Sequence, residues 1–225
     1  ASSRAIQEYV EKFAADEFKD VKLIAVHTHG PGLFHTKTPV TGLESLRGMK
    51  VRGGSRIINN MLTKLGATPV GMPVPAVTDA LSKGTIDGTT IPWEVTPALK
   101  VSELVKNHTT FAGKDGLYSQ TFAFSMNKAA YDNLPADLKK VIDNNSGLET
   151  AAAFGKAMDE GDKVGREIAL KGGNKITELD VAEVQRWKRT AASVETDWVN
   201  EVKGKGIDGA RLLSDAKASM AKYSK

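Results

Sequence analysis

Apolar positions recur along the chain with periods that define its elements. Ile6, Val10 and Phe13 are spaced as on one face of a helix, which predicts an amphipathic helix over residues 3–18. Val21 to Val26 reads as a mostly buried strand, followed by a loop from His27 to His35. A short helical turn at 43–47 stops at Gly48, and a strand then ends at Arg52. Ser55 is a candidate N-cap for a helix presenting Ile57, Ile58, Met61, Leu62 and Leu65. A short strand is predicted over 68–72. A helix follows, with Pro75 at its start and Val77, Ala80 and Leu81 on one face, and then a strand-to-turn element at 85–88. Such close alternation of strand and helix indicates a βαβ sheet, hence an α/β protein.

The second half is mainly helical. A helix is expected over 93–106. A strand over 117–126 alternates Tyr118, Gln120, Phe122, Phe124 and Met126 with the small residues Ser119, Thr121, Ala123 and Ser125, its aromatic face turned inward. A helix opening at Leu134-Pro135 runs without proline to about Leu170. Asp180 and Glu183 have capping-box spacing. Val184, Trp187, Ala191, Val194, Trp198 and Val202 then line one helical face ending at Gly204, and a last helix covers 209–223.

Composition removes several classes. With 40% hydrophobic and 26% charged residues, the 225-residue chain resembles ordinary globular proteins. There is no cysteine, so thiolate metal sites and cysteine nucleophiles are excluded. The net charge of +4 comes from bases interleaved with acids, not from the clustered stripe of a nucleic-acid binder. No apolar run approaches the roughly 20 residues of a membrane span. The chain opens on Ala1-Ser2-Ser3-Arg4 with no signal-peptide core, as a processed or shortened chain would.

Four segments in order carry a resemblance. They are Leu46-Arg47-Gly48-Met49-Lys50-Val51-Arg52, Leu65-Gly66-Ala67-Thr68-Pro69-Val70, Ala80-Leu81-Ser82-Lys83-Gly84-Thr85-Ile86-Asp87-Gly88, and Asn127-Lys128-Ala129-Ala130-Tyr131-Asp132-Asn133-Leu134-Pro135. The first resembles the L-x-G-x-K-x-R motif of TRAP transporter solute-binding proteins, and the ordered set across residues 21–140 is similar to that family. The resemblance implies a periplasmic binding protein-like fold of two α/β lobes around a cleft, with a long helix spanning both. It assigns 1–29 and 120–160 to lobe one, and 30–119 and 161–225 to lobe two. It implies a periplasmic protein that closes on a small organic carboxylate and hands it to a membrane permease, with no cofactor, metal or nucleic acid. Members carry a longer N-terminal part, so lobe one is expected to be incomplete.

Arg52 matches the family's carboxylate-binding arginine. It also ends a predicted strand ahead of Gly53-Gly54, where α/β ligand crevices lie. Its planar fork suits a carboxylate bidentately. Trp93 follows Ile91-Pro92; the family often has Asn where Ile91 stands, so an apolar wall is expected there, with Trp93 either packing on the ligand or lying in the core. Val74, between two prolines, is a candidate apolar contact. Thr28 and His29 are candidate polar contacts, and Phe122 or its neighbour Thr121 a contact from the returning strand. No second arginine lies near Gly32 to Phe34, which favours a monocarboxylate with an apolar or aromatic body.

Two other functions compete. His27, His29 and His35 have ligand-like spacing, which suggests a metal-dependent hydrolase, although no acidic general base lies in that segment. The Val184–Val202 stripe suggests a helical interaction face or, more simply, packing within the chain. No phosphate loop, nucleophile elbow or HExxH is present.

Overall fold

The computed structural model describes residues 1–113 and 116–224. Its strands are β1 (Val21–Thr28), β2 (Leu33–Thr36), β3 (Lys50–Gly53), β4 (Thr68–Gly71), β5 (Gly88–Ile91), β6 (Asn107–Phe111), β7 (Thr121–Asn127) and β8 (Lys175–Leu179). Its helices are α1 (Ser2–Phe13), α2 (Arg56–Lys64), α3 (Val77–Ser82), α4 (Val101–Leu104), α5 (Lys128–Asp132), α6 (Ala136–Asn144), α7 (Leu148–Lys171), α8 (Val181–Ala191), α9 (Ser193–Lys203) and α10 (Gly209–Tyr223). No described helix is long and apolar enough to cross a membrane. The chain is α/β, in two compact units. One comprises residues 1–29, 120–159 and 202–225, the other 30–119 and 160–201. Helix α7 contributes residues to both.

In the first unit, β1 and β7 form an antiparallel pair running from Val21 opposite Asn127 to Thr28 opposite Thr121. Helix α1 seals one side of it: Gln7 Oε1 accepts the Val26 N–H at 2.6 Å and Ser3 Oγ the Thr28 N–H at 3.1 Å. Gly155 lets α7 come close here, since a Cβ there would lie 2.4 Å from Ser3 Oγ. Helix α10 packs along α1, where Lys222 and Tyr223 both hydrogen-bond Glu8. Those contacts put residues 202–225 in this unit, whereas the sequence reading put them in the other.

The second unit is built on a six-stranded mixed sheet of order β4-β3-β5-β2-β6-β8. Strands β3, β4 and β5 are parallel; β2 runs antiparallel between β5 and β6. Ser55 caps α2 by accepting the Ile58 N–H at 3.2 Å, and Asp180 caps α8 by accepting the Glu183 N–H at 2.8 Å. The main core joins Phe34, Leu46, Val51, Leu62, Phe111 and Trp187. The Trp187 ring meets Phe34 and Phe111 edge-on, both at 5.6 Å. Its indole N–H donates to Glu183 Oε1, which also accepts the Leu43 N–H.

Several predicted elements are revised. The expected loop from His27 to His35 is mostly strand, because β1 continues to Thr28 and β2 begins at Leu33. The helix expected over 3–18 ends at Phe13 and gives way to a 3-10 turn. Only Val101–Leu104 of 93–106 is helical, since Pro97 and a left-handed Lys100 (φ 53°) interrupt the pattern. The helix expected from 134 to 170 breaks at Gly147, whose φ of 88° favours glycine. Strand 117–126 begins only at Thr121, and its aromatic face is not inward: Phe122 and Phe124 remain 41% and 52% exposed. Phe122 meets His27 edge-on and His29 at a tilt, and Phe124 meets Phe154 edge-on. The Val184–Val202 stripe is two helices, with Trp187 and Val202 buried in their respective units, so it packs within the chain. Strands β6 and β8 were not anticipated.

Phe34→Ala should cost about 3–5 kcal/mol in urea unfolding, because it empties a fully buried ring site against Trp187. A loss below ~1 kcal/mol would show that the Phe34 ring is not part of the core.

Candidate functional site

Arg52 lies near the C-terminal end of β3, paired with Val70 of β4 on one side and Thr89 of β5 on the other. It is only 4% exposed. Its Nε donates to the Met72 carbonyl at 3.0 Å, which fixes the plane of the guanidinium. No acidic side chain pairs with it among the described residues. Burial pushes its pKa down, and the neighbouring Tyr118 opposes that shift. A buried cation without a counter-charge is costly, so a site of this kind is suited to an anion. Tyr118 itself packs on Gly32 and donates its hydroxyl to the Thr90 carbonyl at 2.9 Å; burial raises its pKa, so it stays a neutral donor. The sequence reading placed Tyr118 merely on a strand face and missed this position beside Arg52.

Strand β5 is bracketed. Its Thr89 pairs with Arg52 of β3 and with His35 of β2, and His35 pairs with His108 of β6. Residues directly opposite in a ladder project from the same face, so Arg52, Thr89, His35 and His108 form one row across four strands. The segment leaving β5 carries Ile91 and Trp93, both buried. The His35 and His108 Nδ1 atoms are 2.7 Å apart, and His35 Nε2 is 3.1 Å from the Ile91 carbonyl. The Trp93 ring centroid lies 4.8 Å from each imidazole. Val74, half-buried, starts the 3-10 turn two residues after Met72, whose carbonyl holds Arg52. Glu94 does not orient Arg52; its backbone N–H donates to Asp162 Oδ1 at 2.8 Å, and burial raises its carboxyl pKa.

Helix α7 holds the same segment by its backbone. A Cβ at Gly165 would fall 2.1 Å from the Trp93 carbonyl oxygen, and one at Gly161 2.8 Å from the Glu94 Cβ. Thr96 Oγ1 donates back to the Trp93 carbonyl at 2.7 Å and closes the turn. The glycine pair, four residues apart, is a signal present in the sequence that the helical reading of 134–170 left unused.

The remaining predicted contacts lie in the first unit. Thr28 ends β1, its N–H held by Ser3, and His29 follows it, tilted against Phe122 at 5.8 Å. Phe122 pairs in register with His27. His27 is wedged between Phe122 and Phe154, and burial lowers its pKa.

The geometry does not support a histidine metal centre. His35 uses one ring nitrogen on His108 and the other on Ile91, so neither is left for a metal. His27 is packed between two phenylalanine rings in the other unit. Among the described residues no group of three or more His, Asp or Glu side chains is placed to hold a metal ion.

The bacterial extracellular solute-binding proteins of family 7 match residues 2–201. A Rhodoferax ferrireducens TRAP solute-binding protein, solved with copurified benzoate, superposes with a TM-score of 0.96 at 50% identity, over 99% of this chain and 70% of its own. A marine metagenome TRAP solute-binding protein described as specific for aromatic acids, solved with 3-hydroxybenzoate, gives 0.97 at 47% identity, over 100% and 70%. The C4-dicarboxylate-binding periplasmic protein DctP of Rhodobacter capsulatus is 27% identical over 206 residues, covering 91% of this chain and 59% of the relative. The chain thus spans about six tenths of the length of the curated relatives it matches.

The two buried imidazoles set a pH dependence. Burial holds His35 down at about 3 and His108 at about 4, below the ordinary 6.5; the facing ring adds to the first shift and Lys106 to the second. The unfolded chain therefore takes up protons from pH 6.5 downward while the folded chain does not. Stability is full above 6.5 and falls with acidification, by up to about 1.4 kcal/mol per pH unit for each ring. Melting temperature should drop between pH 6.5 and 5, above the range where the paired carboxylates titrate, and His108→Asn should flatten that slope. An unchanged melt across the interval would mean that the rings titrate alike in both states.

Proposed function

Because the chain belongs to the bacterial extracellular solute-binding proteins of family 7, we propose that it captures an aromatic monocarboxylate for TRAP-type uptake. The carboxylate pairs with Arg52 and the ring packs against an apolar wall formed by Ile91 and Trp93. The observation that carries this reading is the buried guanidinium with no acidic partner among the described residues. Its Nε is already bound to the Met72 carbonyl, so its terminal nitrogens are the groups that meet the ligand. The absence of a second arginine between residues 27 and 35 supports one carboxylate over two. So do the benzoate and 3-hydroxybenzoate of relatives at 50% and 47% identity, against the dicarboxylate-binding relative at 27%. Val74 adds an apolar contact, and Thr28, His29 and Phe122 contribute from the first unit. The protein acts in the periplasm and delivers its ligand to a membrane permease. Binding requires no bond to be made or broken.

Titration calorimetry with benzoate, 3-hydroxybenzoate and succinate tests the reading. Benzoate should bind in preference to succinate, and Arg52→Ala should lose at least about tenfold, since breaking a desolvated charge pair costs about 2–5 kcal/mol. Arg52→Lys should recover little, because an ammonium cannot present the planar fork. Undiminished benzoate binding in Arg52→Ala would exclude Arg52 from the site. Trp93→Ala should weaken benzoate more than propionate; equal losses would assign Trp93 to the core alone.

A further inference from the structure

We infer that the His35–His108 pair is a positioning device that holds Ile91 and Trp93 in place as the aromatic wall. The inference rests on the proposed function, and it assigns a role to two residues that touch no ligand in that reading.

The hydrogen-bond pattern fixes both tautomers. The Ile91 carbonyl can only accept, so the His35 Nε2 at 3.1 Å must carry a proton. A neutral His35 then presents a lone pair at Nδ1. The facing His108 Nδ1, at 2.7 Å, must be the donor. His108 is left with a bare Nε2, which is buried without a hydrogen-bond partner among the described residues. Every proton in the chain from His108 through His35 to Ile91 therefore points toward β5. The chain ends on the carbonyl two residues before Trp93, and the Trp93 ring rests on both imidazoles. Polarised chains of this kind are stiffer than single bonds in a low-dielectric interior.

The arrangement also explains why neither ring is replaced by a simple apolar side chain in the core. Both are fully buried, where a Leu or Phe would pack without desolvating polar atoms. What an apolar residue cannot do is hold the Ile91 carbonyl from the β2 side while also packing a ring against Trp93.

The test combines imidazole nitrogen-15 spectra with benzoate titration. The spectra should show His35 protonated at Nε2 and His108 at Nδ1; the reverse pattern overturns the inference. Asn can place a donor where His108 Nδ1 stands, and Gln cannot. His108→Asn should bind benzoate within about threefold of the parent, and His108→Gln and His108→Leu should lose about tenfold, a coupling of ordinary size between residues in contact, because the wall is then no longer held in place. In a Trp93→Ala background His108→Gln should cost nothing more, because coupled residues are not additive. Additive losses, or His108→Gln binding like the parent, overturn the positioning role and leave the carboxylate site standing. If His108→Leu does not fold, the Asn and Gln pair decides. A parent protein that binds no benzoate, or Arg52→Ala that binds it equally, overturns the proposed function and this inference with it.

Discussion

A guanidinium kept out of water, with no acidic partner among the described residues, is the constraint around which the second unit is arranged. Arg52 is 4% exposed, and its Nε donates to the Met72 carbonyl. That bond fixes its plane through the Nε edge, and the proposed function assigns the terminal nitrogens to the ligand. The surroundings avoid neutralising it: Tyr118, the polar neighbour coupled to it, is a phenol whose pKa burial raises. An acid of the protein's own in that place would offset the cost of burying the charge, and in the proposed function it would also occupy the position assigned to a carboxylate.

The same logic extends along β5. This strand lies between the strand of Arg52 and the strand of His35, and it delivers Ile91 and Trp93 from its end. Arg52 and the Ile91–Trp93 segment are thereby carried by neighbouring strands of one sheet, a more rigid support than separate loops. Asp162 accepts the Glu94 N–H, and the glycines at 161 and 165 let α7 lie directly on the backbone of the same segment. A larger residue at 165 would displace the Trp93 carbonyl, and one at 161 the Glu94 side chain, before either disturbed any distant part of the unit.

How much of this was legible beforehand follows from which interactions are local. The strand ending at Arg52, the cap at Ser55 and the cap at Asp180 depend on neighbours in sequence, and the structure has each of them. The break at Gly147 was hidden because the apolar pattern continues across it, although the backbone there needs a positive φ. Strand β6 was missed because Asn107-His108-Thr109-Thr110 shows no apolar alternation; its residues are buried by partners from β2 and β8. The outward turn of Phe122 and Phe124 was equally non-local, since alternation assigns residues to faces but not which face is covered.

The histidines show the same limit from the chemical side. Three of the four lie between residues 27 and 35, and sequence proximity suggested a cluster. The pairing that forms is with the fourth, His108, which is brought to His35 only by the β2–β6 ladder. Spacing along a chain predicts shared ligation only when the residues stay on one element and one face. Here β1 and β2 belong to different units, so His27 and His35 serve separate cores. Once His35 has spent both nitrogens on His108 and Ile91, it is committed to orienting β5. Of the three histidines whose spacing suggested a metal site, His35 is the one whose lone pair and proton are both already used, on His108 and on the Ile91 carbonyl of β5.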